Sequence, residues 1–183
     1  MDLRYFILIL LLSQVTFAGC SGYIEDFNVR VLDAQLRPIE GAGVSITYDR
    51  GSGFGTQYFT TPVNYTDVNG LAPYRVVNQG TNTRTIDCNI IANASAGGRS
   101  NTTIVIAQQH GNPIDVFLSD VYPVRFYVKD QFGAGIVNAS VTIGNITRKT
   151  DGQGLAKFYY KKGNYSYLAS SLDGSQAGSI EIK

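Results

Sequence analysis

The chain has 183 residues, a formal net charge of +1 and only 16% charged residues. No run of Lys or Arg is present to track phosphates, which argues against nucleic acid as a partner. Twenty glycines and twelve tyrosines, with one methionine and no tryptophan, suit short strands joined by tight turns rather than helices.

At the N-terminus Arg4 precedes an apolar run from Tyr5 to Leu12. About eight apolar residues are too few to span a bilayer but match the central region of a secretory signal. Residues 1–19 are therefore expected to be a signal peptide, and the protein to be exported to the extracellular space or the cell surface. Thr16-Phe17-Ala18 offers cleavage after Ala18. Alternatively, Phe17-Ala18-Gly19-Cys20 resembles a lipobox, with lipid on Cys20 and Ser21-Gly22 opening a flexible tether. Membrane contact is expected only through such an anchor. Otherwise Cys20 is free, removed with the signal, or paired with Cys88. Cys88 shares the alternating phase of Ile86 and Ile90, so its side chain is expected to face a core, where a free thiol acts as a small hydrophobe. A Cys20–Cys88 disulfide needs the leader junction to lie against the first domain.

Beyond the leader the chain repeats itself. Residues 31–46 align without a gap on residues 128–143, pairing Val31 with Val128, Asp33 with Asp130 and Ile39 with Ile136. Ala42 with Ala139, Val44 with Val141 and Ile46 with Ile143 complete the set. Each copy then carries a second shared string, Thr66-Asp67-Val68-Asn69-Gly70-Leu71-Ala72 and Thr150-Asp151-Gly152-Gln153-Gly154-Leu155-Ala156. A repeat implies two units of one architecture.

In chain order, Phe27, Val29 and Val31 alternate with polar neighbours and predict a first strand; Val44, Ile46 and Tyr48 predict a second. Ala72, Tyr74 and Val76 form the strand after the turn. The first copy adds strands at 84–92, 102–107 and 115–118. Phe126 and Val128, then Val141 and Ile143, open the second copy. Ala156, Phe158 and Tyr160 point inward there, opposite Lys157, Tyr159 and Lys161; segments from Tyr165 and from Ser179 close it. The chain reads as all-β: two tandem Ig-like Greek-key β-sandwiches after a signal segment. Domain 1 is placed at 23–119, with an insertion near 50–64 that the repeat does not require, and domain 2 at 123–183. The linker near Ser119 to Pro123 is short, so a defined end-to-end arrangement is expected.

The residues Val128-Lys129-Asp130, Ala139-Ser140-Val141 and Thr150 to Ala156 resemble carboxypeptidase regulatory-like and bacterial Ig-like (invasin-type) domains. The resemblance covers Val124 to Ile182 almost fully and the first copy only in its framework. It implies seven-stranded sandwiches used as spacers, stalks and binding modules, and says little about function.

Candidate chemistry is sparse. Asp67-Val68-Asn69-Gly70 is reminiscent of half a calcium loop, but no terminal Glu follows. Asp67 and Asp151 are instead expected to cap turns in which Gly70 and Gly154 take positive φ. The single histidine, His110, is expected to be a solvated loop residue. No nucleophile elbow, zinc set or phosphate-binding loop accompanies it, so no catalytic residue, metal or cofactor is expected.

Six Asn-x-Ser/Thr triplets, at Asn64, Asn93, Asn101, Asn138, Asn145 and Asn164, exceed the roughly two expected by chance and read as N-glycosylation sites, mostly in turns. Phe54, Tyr58 and Phe59 in the insertion form the expected contact surface. The function expected is a non-catalytic structural or adhesive surface module whose partner is a surface protein or polysaccharide. The alternative is a carbohydrate-binding module using a row of exposed tyrosines, with Tyr127, Tyr159 and Tyr167 as candidates.

Overall fold

The computed structural model describes residues 22–50, 57–79, 88–172 and 174–183. These residues form β1 (Tyr23–Asp33), β2 (Gly43–Asp49), β3 (Tyr58–Thr60), β4 (Asn64–Tyr65), β5 (Leu71–Asn78), β6 (Asn89–Ala96), β7 (Arg99–Ile106) and β8 (Ile114–Leu118). The second half contributes β9 (Tyr122–Tyr127), β10 (Ser140–Ile143), β11 (Ile146–Lys149), β12 (Leu155–Tyr160), β13 (Gly163–Ser171) and β14 (Gly174–Ile182). The described residues are all-β, folded as two tandem β-sandwiches.

In the first sandwich a sheet ordered β5-β1-β8 faces one ordered β3-β2-β6-β7, with β4 also paired to β2. In the second, β12-β9 faces β11-β10-β13-β14. Alternation explains the layering, because every second side chain of a strand meets the opposite sheet. Phe27, Val29, Val31, Ala72, Tyr74 and Val76 thus meet Val44, Ile46, Ile90 and Ala92 in one core. Val124, Ala156, Phe158 and Tyr160 meet Val141 and Ile143 in the other. Two phenols anchor the sheets to one another: Tyr74 Oη–H donates to the Val44 carbonyl and Tyr160 Oη–H to that of Ile143. Burial pushes both above the ordinary tyrosine value, keeping them neutral donors.

The repeat is copied down to its hydrogen bonds. Asp67 Oδ1 accepts the N–H groups of Asn69 and Leu71 at 2.8 and 2.9 Å, and Asp151 Oδ1 those of Gln153 and Leu155 at 2.9 and 3.0 Å. Asp33 and Asp130 do the same two and four residues ahead. Gly154 closes its turn at φ +76°, where a Cβ would lie 2.4 Å from the Val128 carbonyl oxygen, so only glycine fits.

The two backbone N–H groups, that of Leu155 foremost, hold the Asp151 carboxyl below its ordinary value of 3.8. A carboxyl depressed in the fold contributes stability above its unfolded value and loses it as pH falls through the folded one. Acid titration of stability should therefore show a loss below about pH 3.8 that Asp151→Asn removes in part. An identical acid limb in both proteins would refute the cap.

Four features depart from the sequence-based expectation. The first two late strands of copy one lie at Asn89–Ala96 and Arg99–Ile106, and residues 84–87 lie outside the described residues. Part of the 50–64 insertion returns to the sheet, because β3 and β4 both pair with β2. Cys88 is not a free buried thiol but is disulfide-bonded; Cys20, the other cysteine of the chain, lies outside the described residues, as does the leader. Finally, β8 pairs parallel to β1; as one of the strands the first copy is expected to add, it has no counterpart beside β9 among the described residues.

Candidate functional site

The two sandwiches meet along a seam. β8 ends at Leu118 and β9 starts at Tyr122, and the intervening Val121 is buried in the first core. Tyr159, on the outward face of β12, also packs against that core, and its hydroxyl donates to the Pro38 carbonyl at 3.3 Å. Arg148 donates to the Glu40 carbonyl at 3.4 Å, Lys157 approaches the Glu40 carboxylate at 3.7 Å, and the Lys161 N–H reaches the Gly97 carbonyl at 3.4 Å. A cleft of about 1030 Å³ lies across the seam, lined by Glu40, Tyr65, Arg99, Arg148 and Tyr159 among others. The alternation placed Lys157 and Tyr159 on one outward face; that this face meets the neighbouring sandwich is tertiary information.

Of the three insertion aromatics, Tyr58 is 57% exposed. Phe59 is turned back onto the body: Tyr48 meets its ring edge-on at 5.8 Å and the Arg50 guanidinium covers it at 3.7 Å. Phe54 lies outside the described residues.

The three candidate tyrosines do not make a row. Tyr127 projects from β9 at 58% exposure, Tyr159 is held in the seam, and Tyr167 on the opposite sheet packs against Phe126 with ring centres 4.9 Å apart. A flat sugar-stacking platform needs coplanar exposed rings, and these three present one.

His110 corrects the sequence reading. Its side chain is 4% exposed, with Nε2 2.9 Å from Glu25 Oε1 but out of hydrogen-bond alignment. Nδ1–H donates to the Gly111 carbonyl at 2.8 Å, and the ring meets Phe27 edge-on at 5.3 Å. The loop sequence suggested solvent, but Glu25 and Phe27, more than eighty residues earlier, enclose it. The Glu25 carboxylate, which accepts the Gln108 N–H at 3.2 Å, the Gly111 carbonyl and the Phe27 ring hold the loop before β8. Among the described residues no cluster of three or more His, Cys, Asp or Glu side chains is arranged for a metal.

The sequons divide by structure, and fewer lie in turns than expected. Asn138 and Asn145 occupy exposed turns, whereas Asn64, Asn93, Asn101 and Asn164 lie within strands. Asn101 Nδ2 is committed to the Phe117 carbonyl at 2.7 Å. Asn93 Oδ1 accepts from Thr102 Oγ1 at 2.8 Å, and β6 lies between β2 and β7. Asn and Thr are as useful for cross-strand pairing as for glycan acceptance, which is why the triplets alone overstated the turns.

Sequence reasoning missed Thr66 and Thr150. Thr66 Oγ1 accepts the Ala42 N–H at 2.9 Å and donates to the Ile39 carbonyl at 2.6 Å. Thr150 repeats both bonds with Ala139 and Ile136 at the same distances. Their place beside the capping aspartate in both shared strings was the available signal.

The chain matches no protein-family model and no curated protein. Among solved structures it is similar to the Bacillus anthracis TIE protein, at 18% identity and a TM-score of 0.36 over 87% of this chain and 31% of that one. It is also similar to a streptococcal ancillary pilin, at 12% identity and a TM-score of 0.36 over 92% of this chain and 60% of that one. The shaft pilin SpaA from Lactobacillus rhamnosus GG stands at 8% identity and a TM-score of 0.36, covering 87% and 93% of the two chains. The chain thus spans about a third of the first protein and three-fifths of the second.

Proposed function

We propose that this protein is a non-catalytic, exported module of the cell surface, a stiff two-domain spacer that holds one end toward a surface protein or polysaccharide. The observation that carries this reading is the seam, where Tyr159, Arg148 and Lys157 of the second unit engage the first across a three-residue connection. A spacer needs a fixed angle between its units, and side chains bridging a short connection supply one.

Small-angle scattering tests the spacer. The wild type should give one narrow distance distribution. Gly97 sits at φ +57°, with a would-be Cβ 2.3 Å from the Tyr159 carbonyl oxygen, so Gly97→Ala should broaden that distribution by forcing the units apart. A broad distribution in the wild type would defeat the reading. Surface exposure is tested separately: an impermeant biotin reagent should label the protein on intact native cells.

Modification completes the reading. Asn138 and Asn145 are the favoured glycan acceptors, because both sit in exposed turns, while Asn93 and Asn101 should stay bare. Peptide mapping of the native protein checks this, and glycans confined to Asn93 and Asn101 would overturn the structural ranking. The same experiment without reductant addresses Cys20. One sulfur cannot carry both a lipid thioether and the bond to Cys88, so we expect a cross-linked peptide joining Cys20 and Cys88; a lipid adduct on Cys20 would refute it.

A further inference from the structure

The first sandwich displays a strand that the described residues do not repeat in the second. Ile114–Leu118 of β8 lie parallel to Val29–Asp33 of β1 and seal that side of the core: Val29, Val31 and Ile39 are 0% exposed and Asp33 is 1% exposed. The gapless repeat sets Phe126, Val128, Ile136 and Asp130 in the same four places. There β9 pairs with β12 alone among the described residues. Phe126, Val128 and Ile136 are only half-buried and Asp130 is exposed. A groove of about 860 Å³ runs along this edge, with Phe126, Val128, Ile136 and Ala169 in its lining and Phe132 and Gln176 beside them. Phe132 is 86% exposed.

The backbone is set for one more strand. Val128 spends its N–H on the Gly154 carbonyl at 2.8 Å and its carbonyl on the Ile136 N–H at 2.9 Å, both on the β12 side. Alternation therefore aims the N–H and C=O groups of Tyr127 and Lys129 at the groove. The far rim matches as well. In the first sandwich Val44 faces Ala94, which faces Asn101, and Asn101 ties down β8 through the Phe117 carbonyl at 2.7 Å. In the second, Val141 faces Ala169, which faces Gln176. An amide thus occupies the same ladder position on both rims.

We propose that this groove binds an extended segment of a partner polypeptide, which completes the second sandwich by pairing parallel to β9 at Phe126–Asp130. β8, five residues long with its first, third and fifth side chains buried, defines the chemistry required: apolar residues at alternate positions. Every strand among the described residues, β8 included, is already paired within its own sandwich, so the donor proposed is another protein, and a second copy is the outcome the test must distinguish. Selectivity follows from size. Phe126 and Tyr167 stand where Val29 and Ala92 stand in the first unit, narrowing the groove at the donor's first position. That position takes a small side chain, while the third and fifth, beside Val128 and Asp130, take larger ones. The inference goes beyond the surface-module reading and stands or falls without it.

The test uses the whole chain and a synthetic peptide of residues 111–119 carrying Ile114→Ala, with amide hydrogen exchange as the readout. Exchange at Tyr127 and Lys129 should slow at least about tenfold at saturating peptide, while β1 amides stay unchanged. The Gln176→Ala variant, altered at an exposed side chain, should weaken peptide binding by about threefold or more. A peptide with its apolar residues moved by one position should have no effect. Unchanged exchange with the matched peptide, or equal slowing with the shifted one, overturns the proposal. Protection at Tyr127 and Lys129 without peptide that grows with protein concentration would instead assign the groove to a second copy and overturn the partner assignment.

Discussion

Thr66→Val should cost about 3 kcal/mol, while Thr66→Ser should cost less than about 1 kcal/mol. The Thr66 hydroxyl, in a residue 4% exposed, accepts from the Ala42 N–H and donates to the Ile39 carbonyl. Valine keeps the shape and removes both bonds, leaving a buried donor and a buried acceptor unsatisfied at about 1–3 kcal/mol each. For a domain of this size that lowers the melting temperature by roughly 10–20 °C. Denaturant titration of the three proteins is the measurement. A serine variant no more stable than the valine variant would refute the hydroxyl's role. The threonine bridges the strand-entry segment at Ile39–Ala42 to the turn ahead of β5, so it joins two elements more than twenty residues apart in sequence.

The second large effect is expected at Phe158→Ala, which should unfold the second sandwich and leave the first folded. Phe158 is 1% exposed and central to the smaller core, with Phe126 edge-on at 6.0 Å and Tyr160 at 6.5 Å. Truncating such a ring costs about 3–5 kcal/mol. A domain of about sixty residues holds only about 3–9 kcal/mol in total, and among the described residues this one has no counterpart of the strand that closes its neighbour. Hydrogen exchange should show lost protection across β10 and β13, with Val44 and Ile46 in β2 still protected. Equal loss in both units would mean that the seam couples them into one cooperative body.

The two cores illustrate how one pattern yields different packing. Where the first unit has Val29, Ala92 and Ile90, the second has Phe126, Tyr167 and Tyr165. Phe126 and Tyr167 line the open side with ring centres 4.9 Å apart, while Tyr160 meets Tyr165 at 4.7 Å elsewhere in the same core. Aromatic side chains bury large areas each.

The repeated strings, the strand alternation and the capping aspartates were legible in the residues, because period-two burial and turn chemistry are local properties with short-range signatures. Val44, Ile46, Val141 and Ile143 could be placed in cores from spacing alone, and all four are fully buried. Tertiary structure decided the rest. It enclosed His110 between Glu25 and Phe27, turned Phe59 inward, set Tyr159 against the neighbouring sandwich and, among the described residues, left one edge of β9 without a strand. Each of those outcomes depends on which distant segment arrives beside a residue. Periodicity states which side of a strand is buried, but only the assembled sheets determine what covers it.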